Sequence, residues 1–181
     1  MRIIGGNLKK SKLKSPTTDK TRPTSDKMRG ALFNSLRSRL GDLEEIIMVD
    51  AFAGTGAIGI EALSRGASVV IFFETDPAAS KVLKQNLEKL DVMHKSLMYG
   101  DALTPPRYSR CAHVVFMDPP YNFGLIPHAL RAMRDNGYIG PETVIIAETH
   151  KSEDLNLPEE FELEKKNTYG IGALHWIVCR E

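Results

Sequence analysis

The sequence predicts an α/β protein built on a doubly wound, mostly parallel, Rossmann-like sheet. Between residues 46 and 148, short buried apolar runs alternate with longer amphipathic runs, which is the pattern of parallel strands joined by helices. A glycine-rich turn follows the first apolar run, as expected where a strand leads into a helix. The last two apolar runs flank a tight turn near residue 170, which predicts a C-terminal antiparallel hairpin.

The first forty residues predict a small basic N-terminal extension made of a hairpin and a helix. Residues 2–14 alternate apolar and basic positions around a Gly5–Asn7 turn, which favours a short hairpin. A polar loop occupies residues 16–23. Thr24 or Ser25 can cap a helix that runs to residue 40, where Gly41 ends it.

The remaining residues, 41–181, predict one core domain on which the extension 1–40 packs as part of a single globular unit. Pro77 fits the first turn of a helix, and Gly66 and Gly137 mark helix ends. The expected core elements are strands at 46–51, 68–73, 96–99, 113–117 and 143–148, helices at 58–64, 77–90 and 125–134, and hairpin strands at 161–168 and 173–178.

Length and composition exclude several classes of protein. The chain has 181 residues, 42% of them hydrophobic and 26% charged, which suits one globular domain. No apolar run is long enough to cross a membrane, and the first residues lack a signal-peptide core. Cys111, Cys179 and the five histidines show no metal-ligand spacing. We therefore expect a reduced, cytoplasmic protein without metal, and a monomer.

The net charge of +1 hides a strong asymmetry along the chain. Residues 1–40 carry eleven Lys or Arg residues and two acids, a net charge of +9, whereas the rest carries thirteen basic residues and twenty-one acids, a net charge of −8. A basic extension on an acidic body indicates contact with a phosphate backbone, although a solvated tail is the alternative. The candidate phosphate contacts are Arg2, Lys9, Lys10, Lys12, Lys14, Arg22 and Arg29.

The turn after the first core strand, residues 50–59, reads D-A-F-A-G-T-G-A-I-G. Its glycines let the backbone turn sharply and approach a ligand, while the following helix begins with unpaired amides. Glu74 comes 20 residues after Gly54, at the end of the next strand, where an acid can accept ribose hydroxyls. The pattern favours a cofactor containing adenosine over a turn without a ligand.

Acidic residues at successive strand ends narrow the choice of cofactor. Asp50 would repel the pyrophosphate of NAD but can pair with the ammonium of an amino-acid tail. Asp101 can accept from an adenine amino group, although it can also form a turn. The candidate cofactor residues are Asp50, Phe52, Ala53, Gly54, Thr55, Gly56, Glu74, Thr75, Asp101, Ala102 and Asp118.

The segment D-P-P-Y, Asp118 to Tyr121, follows the buried run at 114–117. Its two prolines fix the exit of the chain from the sheet. The Asp118 carboxylate and the Pro119 carbonyl then offer two neighbouring acceptors, which suit a planar amino group. Tyr121 offers a face on which a base can stack. The segment Asp118, Pro119, Pro120 and Tyr121 is therefore the candidate catalytic site, a strand-ending turn being the alternative.

Together these residues resemble two nested families. Asp50-x-Phe52-x-Gly54-x-Gly56, Glu74, Gly100-Asp101 and D-P-P-Y resemble the class I S-adenosylmethionine-dependent methyltransferases that act on amino groups. More narrowly, the chain is similar to the RsmD-type small-subunit (16S) rRNA (guanine-N2)-methyltransferases. The blocks that carry this similarity are 1–6, 22–24, 32–34, 54–67 and 169–170.

The resemblance implies S-adenosylmethionine as cofactor and a guanine N2 amine in small-subunit rRNA, free or in the assembled subunit, as the methyl acceptor. It implies that Asp118 and Pro119 hold the amine, while Tyr121 and Phe123 stack on a flipped-out base. Three alternatives stay open. An adenine-N6 DNA or RNA methyltransferase shares D-P-P-Y, a nucleic-acid-binding module could retain the cofactor fold, and an NAD-linked oxidoreductase could share the glycine loop.

Overall fold

A computed structural model describes residues 1–15, 25–121 and 123–180 of the chain. Its elements follow the predicted order, with a short 3₁₀ turn before the third strand. The strands are β1 (Ile47–Asp50), β2 (Val69–Phe73), β3 (Ser96–Tyr99), β4 (Val114–Met117), β5 (Val144–His150), β6 (Phe161–Tyr169) and β7 (Gly172–Cys179). The helices are α1 (Asp26–Leu40), α2 (Ala57–Ser64), α3 (Pro77–Lys89) and α4 (Leu125–Asp135).

The seven strands form one sheet in the order β3-β2-β1-β4-β5-β7-β6. Strands β1 to β5 pair in parallel, whereas β7 runs antiparallel to both β5 and β6. The predicted fold class, including the C-terminal hairpin, is therefore confirmed. The chain order reverses between β1 and β4, and in open α/β sheets ligands bind above the carboxyl ends of the strands at such a point.

Two hydrophobic clusters cover the two faces of the sheet. Because side chains alternate along a strand, Met48 of β1 enters the first cluster and its neighbour Val49 enters the second. Apolar residues of α1, α2 and α3 complete the first cluster, and those of α4 complete the second. The central strands β1 and β4 are buried throughout, which anchors the residues that follow them.

The segment 2–14 turns back on itself as predicted, with a short antiparallel bridge between Arg2 and Lys12. Ile3 N donates to the Ser11 carbonyl at 3.0 Å, and Leu13 N donates to the Met1 carbonyl at 3.1 Å. The segment also bonds to α2, where Leu8 N donates to Ser64 Oγ at 2.9 Å. Backbone groups of the segment that bond to α2 do not need partners in a longer β-ladder, so the pairing between its two arms stays short.

Helix α1 has the ends that the sequence predicted. Ser25 caps it by accepting from Met28 N at 3.2 Å, and Gly41 follows its last residue, donating to the Arg37 carbonyl. The alternative cap Thr24 and the loop 16–23 lie outside the described residues.

None of the helices in the described part of the chain combines the length and the apolar character that a membrane span requires.

Candidate active site at the carboxyl edge of the sheet

The strand order brings four predicted acids together in one row. Asp101 follows β3, Glu74 follows β2, Asp50 ends β1 and Asp118 follows β4, and these four strands are neighbours in that order. Because the four strands are parallel, their carboxyl ends lie on the same edge. The sheet therefore places all four acids along one edge that spans the β1–β4 switch point.

The glycine loop between β1 and α2 depends on two glycines for different reasons. Both have a positive φ, 54° at Gly54 and 81° at Gly56, which favours glycine. A Cβ on Gly56 would collide with Cδ1 of Leu83, so this position also allows α3 to pack closely. Around Gly54, no atom of the described residues lies within 4 Å of a Cβ position. Gly54 thus faces open space where a ligand can approach the backbone.

Asp50 is only 2% exposed and secures the start of α2. Its Oδ2 accepts the Gly59 amide at 2.9 Å, so one of the helix N-terminal donors is already occupied by an acid. Burial raises the pKa of Asp50 to about 7, opposed by the Gly59 bond and helped by the charge of Glu74. A cationic group beside Asp50 would favour its ionised form, whereas a phosphate would not.

Glu74 fixes the other side of the glycine loop. Its Oε2 accepts the Gly54 amide at 2.7 Å, and its Oε1 accepts the Asp76 amide at 2.7 Å. Each carboxylate oxygen can accept more than one hydrogen bond, so Glu74 keeps capacity for ligand hydroxyls. Asp76 in turn caps α3 by accepting from Ala79 N at 2.7 Å. The loop is therefore held in place by carboxylates before any ligand is bound.

The remaining cofactor candidates differ in how they face the site. Asp101 forms a local turn, since its Oδ1 accepts the Leu103 amide at 2.8 Å. The side chain of Ala102 is buried in the second cluster, so only its backbone can meet a ligand. Phe52 is half-buried against the same cluster, and Thr75 is exposed.

The D-P-P-Y segment leaves the sheet beside Asp50. Asp118 is half-buried, Pro119 is buried and Pro120 is exposed. Burial raises the pKa of Asp118 well above its usual value, and the negative charges of Glu148 and Asp50 raise it further. The Tyr121 ring is half-buried and meets the His150 ring edge to face, with the centroids 6.1 Å apart. Phe123, two residues later, is 71% exposed.

Sequence reasoning missed Glu148, which lies in β5 and is only 5% exposed. The parallel register pairs Met117 with Ala147, so the next residues, Asp118 and Glu148, are neighbours. The Tyr121 hydroxyl donates to Glu148 Oε1 at 3.4 Å. A signal was present, because the strand predicted at 143–148 also ends in an acid.

The basic extension presents most of its predicted cations to solvent. Arg2 and the lysines at 9, 10, 12 and 14 are exposed, although Arg2 also pairs with Asp26 at 3.4 Å. Lys89 of α3 joins this surface through its bond to the Lys12 carbonyl at 2.7 Å, which the sequence had not suggested. Arg22 lies outside the described residues.

The prediction that Arg29 contacts phosphate is contradicted by the structure. Its side chain is 0% exposed, and its Nη2 donates to Asp26 Oδ1 at 2.6 Å and to the Arg2 carbonyl at 2.8 Å. Arg29 lies four residues before Phe33, on the buried stripe of α1, and that spacing was the available signal. It ties the helix to the N-terminal segment instead of facing an RNA.

Asn86 of α3 links the extension to the glycine loop, which no pattern in the sequence indicated. Its Oδ1 accepts the Lys14 amide at 2.8 Å, and its Nδ2 donates to the Lys14 carbonyl at 3.2 Å and to the Thr55 carbonyl at 3.0 Å. Asn86 is fully buried.

Among the residues with described positions, no group of three or more His, Cys, Asp or Glu side chains is arranged to hold a metal ion.

Comparison with known proteins places the chain in a family. The family model described as "Conserved hypothetical protein 95" matches residues 1–178. Ribosomal RNA small subunit methyltransferase D of Haemophilus influenzae is 36% identical, over 94% of this chain and 90% of that protein. Its namesake in Escherichia coli K12 is 34% identical, over 94% of this chain and 85% of that protein.

Solved structures agree with these sequence relatives. The yhhF protein of Escherichia coli superimposes with a TM-score of 0.84 at 31% identity, covering 99% of this chain and 98% of that one. The superposition covers nearly the whole of this chain. The chain belongs to the Conserved hypothetical protein 95 family, the family of the ribosomal RNA small subunit methyltransferase D enzymes.

Proposed function

We propose that this protein transfers a methyl group from S-adenosylmethionine to the N2 amine of one guanine in small-subunit (16S) rRNA. One observation carries the proposal: the sheet sets Asp118 and Pro119 beside a glycine loop bordered by the buried Asp50 and the half-buried Glu74, in a chain of this family. The relatives named as small-subunit rRNA methyltransferases support the choice of substrate.

The residues of the site fit S-adenosylmethionine. Four acids along one edge suit a ligand with two positive charges, two ribose hydroxyls and an adenine amine, and they oppose a pyrophosphate. The open space over Gly54 fits close approach of a ligand to the backbone. Asp50 would face the ammonium, Glu74 the ribose and Asp101 the adenine amine. The site would be completed by the rest of the glycine loop, which includes Phe52, Ala53, Gly54, Thr55 and Gly56. Thr75 and Ala102 would add surface or backbone contacts.

S-adenosylmethionine supplies an electrophilic methyl group on a sulfonium. The protein's own part in the chemistry is to position the acceptor. Asp118 and the Pro119 carbonyl hold the two N–H groups of the amine, which turns its lone pair toward the glycine loop. As the amine gains the methyl group it becomes cationic, and the Asp118 carboxylate stabilises that charge and accepts the released proton. The raised pKa of Asp118 suits a proton acceptor.

The acceptor base has to leave its stack to reach Asp118. Tyr121 and the exposed ring of Phe123 offer faces on which a flipped-out guanine stacks. The extension, residues 1–40, then holds the surrounding RNA through phosphate contacts of Arg2 and the exposed lysines between 9 and 14. We propose that a monomer suffices for this arrangement, since one chain supplies the cofactor, base and phosphate contacts.

The experiment that tests this function uses purified protein, labelled S-adenosylmethionine and small ribosomal subunits that lack the modification, followed by nucleoside analysis. Asp118→Asn keeps the side-chain shape but removes the charge and the proton acceptor. Asp135→Asn, an exposed acid at the end of α4, is the matched control. We expect N2-methylguanosine with the wild type and the control, and a loss of about 100-fold or more with Asp118→Asn.

Other products would favour the alternatives. Methylated adenosine would keep the fold and cofactor but replace guanine with adenine as the target, as D-P-P-Y permits. If the cofactor bound but no label reached subunits, free rRNA or DNA, the chain would be a binding module. Titration of NAD against S-adenosylmethionine separates both from an oxidoreductase.

A further inference from the structure

Glu148 adds a second carboxylate to the D-P-P-Y end of the site. The register of β4 and β5 puts it next to Asp118, and its charge acts on that residue. Phe116 and Ile146, two residues earlier on each strand, both enter the first hydrophobic cluster. By the alternation of strand side chains, Asp118 and Glu148 therefore point to the same face of the sheet.

The carboxylate of Glu148 lies next to the side chain that is proposed to stack on the base. Its Oε1 accepts from the hydroxyl of Tyr121, the residue whose ring is assigned to stacking. The same oxygen lies 3.7 Å from the position that a Cβ on Gly172 would take, an ordinary van der Waals distance, so strand β7 packs against the carboxylate. Burying two neighbouring carboxylates costs stability, and such pairs are more common at functional sites than elsewhere.

The chemistry of the bases gives this pair a use. Adenine, cytosine and guanine each carry an exocyclic amine, but they differ in the adjacent ring nitrogen of the Watson–Crick edge. In adenine and cytosine that nitrogen is an acceptor, which a second carboxylate would repel. In guanine it is the N1–H donor, which a second carboxylate would bind. A pair of carboxylates thus selects guanine and rejects the other two amines.

We propose that Glu148 is a specificity-determining residue of this site, whose carboxylate accepts the N1–H of the guanine while Asp118 holds its N2 amine. The inference rests on the proposed function and adds to it the group that distinguishes guanine from adenine. D-P-P-Y provides for an amine of any base, and Glu148 restricts that amine to the base with a neighbouring ring N–H.

The test compares two acceptor bases that carry the same 2-amino group but differ at N1 of the ring. Small-subunit rRNA is joined from fragments so that the target position carries guanosine or 2-aminopurine riboside, and is reconstituted into subunits. Both bases have the 2-amino group, but 2-aminopurine lacks the N1–H and the 6-oxo group of guanine. Variants of Glu148 then show whether the preference depends on the N1–H. We expect the wild type to prefer guanosine in kcat/KM by roughly 10- to 100-fold. Glu148→Gln should bring this preference close to one, because an amide can either accept or donate.

Two further variants separate specificity from structural support. Glu142→Gln changes an exposed acid before β5 and should keep the preference for guanosine. Glu148→Asp keeps the negative charge but moves it back by one methylene, so it should lower the preference for guanosine. This variant provides a test even if Glu148→Gln does not fold. Tyr121→Phe keeps both the stacking ring and the Glu148 carboxylate, so it should keep a clear preference for guanosine.

The outcomes of this test are distinct. Equal rates of the wild type on the two bases would overturn the role of Glu148 while leaving guanine-N2 methylation intact. A preference that survives in Glu148→Gln and Glu148→Asp would overturn it as well. Absence of any methylation of guanosine by the wild type would instead remove the proposed function itself.

Discussion

At the scale of single residues, Asp50 opposes the stability of the ligand-free fold. Its pKa is about 7 in the folded protein and near 3.8 when the chain unfolds. Between these values the folded protein keeps a proton that the unfolded chain releases. The free energy of unfolding therefore falls as pH rises through this interval and levels off above about pH 7. A destabilising residue of this kind is expected where the site binds a cationic ligand, because function can require residues that reduce stability.

Asp50→Asn should accordingly stabilise the protein at pH 8 by a few kcal/mol, since each pH unit of the interval contributes at most about 1.4 kcal/mol. The gain should be small below about pH 3, where Asp50 is protonated in both states. Urea unfolding of the wild type and the variant at several pH values checks this. If the free energies of unfolding of the wild type and the variant changed in parallel between about pH 4 and 7, Asp50 would be ionised in the folded protein over that range. Binding of S-adenosylmethionine should weaken in the variant, and most at pH 8, where Asp50 of the wild type is ionised.

The raised pKa of Asp118 leads to a prediction about activity. Only the ionised carboxylate can accept the proton of the methylated amine, so kcat should rise with pH through the pKa of Asp118. The acid limb of the profile should therefore lie well above pH 4. A profile that is flat down to pH 4 would mean that Asp118 orients the amine without taking its proton. The measurement is kcat at saturating cofactor and subunits.

Residues of the site differed in how well the sequence predicted them. The acids at the ends of strands could be predicted because a parallel sheet brings successive strand ends to one edge. Glu148 follows the same rule and was overlooked only because no ligand role had been assigned to the fifth strand. Arg29 was assigned by charge alone, and charge does not tell whether a helix position faces the core.

At the scale of elements, the N-terminal segment is held by side chains of α2 and α3 more than by its own pairing. Asn86 bonds both to Lys14 and to the glycine loop. Alternation of apolar and basic residues predicted the hairpin, but that pattern cannot reveal that two helices supply many of its hydrogen-bond partners. Contacts of this kind join residues about 70 positions apart and leave no local signal.

Asn86→Ala should therefore loosen two elements together. We expect faster hydrogen exchange at the amides of residues 10–15 and of the glycine loop, with a loss of about 1–3 kcal/mol in the free energy of unfolding. Gln85→Ala is the matched control, since it removes only the exposed bond between Gln85 and Lys14 Nζ. Unchanged exchange in the glycine loop of Asn86→Ala would show that the loop does not depend on this bond.

Helix α1 contains a glycine that the structure does not require. A Cβ at Gly30 would meet only Ile4 Cδ1, at 3.8 Å, among the described residues. Gly30→Ala should stabilise the protein by about 0.5–1 kcal/mol through helix propensity. Thermal unfolding checks this, since Gly30→Ala should raise Tm. Gly56→Ala should lower Tm, because its Cβ would collide with Leu83.

At the scale of the whole molecule, a basic surface sits on an acidic body. If five exposed cations of the extension contact phosphates, affinity for RNA should fall roughly 100-fold between 50 and 200 mM salt. Lys9→Gln and Lys10→Gln should each reduce the slope of log affinity against log salt by about 0.7. Binding assays at several salt concentrations measure this, and affinity that ignores salt would exclude the extension from RNA binding.

The global architecture was predictable because it follows from simple alternation. Buried runs separated by helix-length segments leave few topologies open, and right-handed crossovers restrict them further. Nearly all predicted strand and helix ends lie within two residues of those observed. What could not be predicted is the docking of the extension, since that depends on surface fit and not on periodicity.

The central position of β1 has a consequence for biosynthesis. Met48 of β1 pairs with Val70 within 22 residues, but its other edge waits for Val114, 66 residues further along the chain. At about 5–20 residues per second of translation, that edge stays open for roughly 3 to 13 seconds. The nascent chain thus assembles the half around the glycine loop first, and carries an unpaired apolar strand that is exposed to aggregation until the D-P-P-Y half emerges.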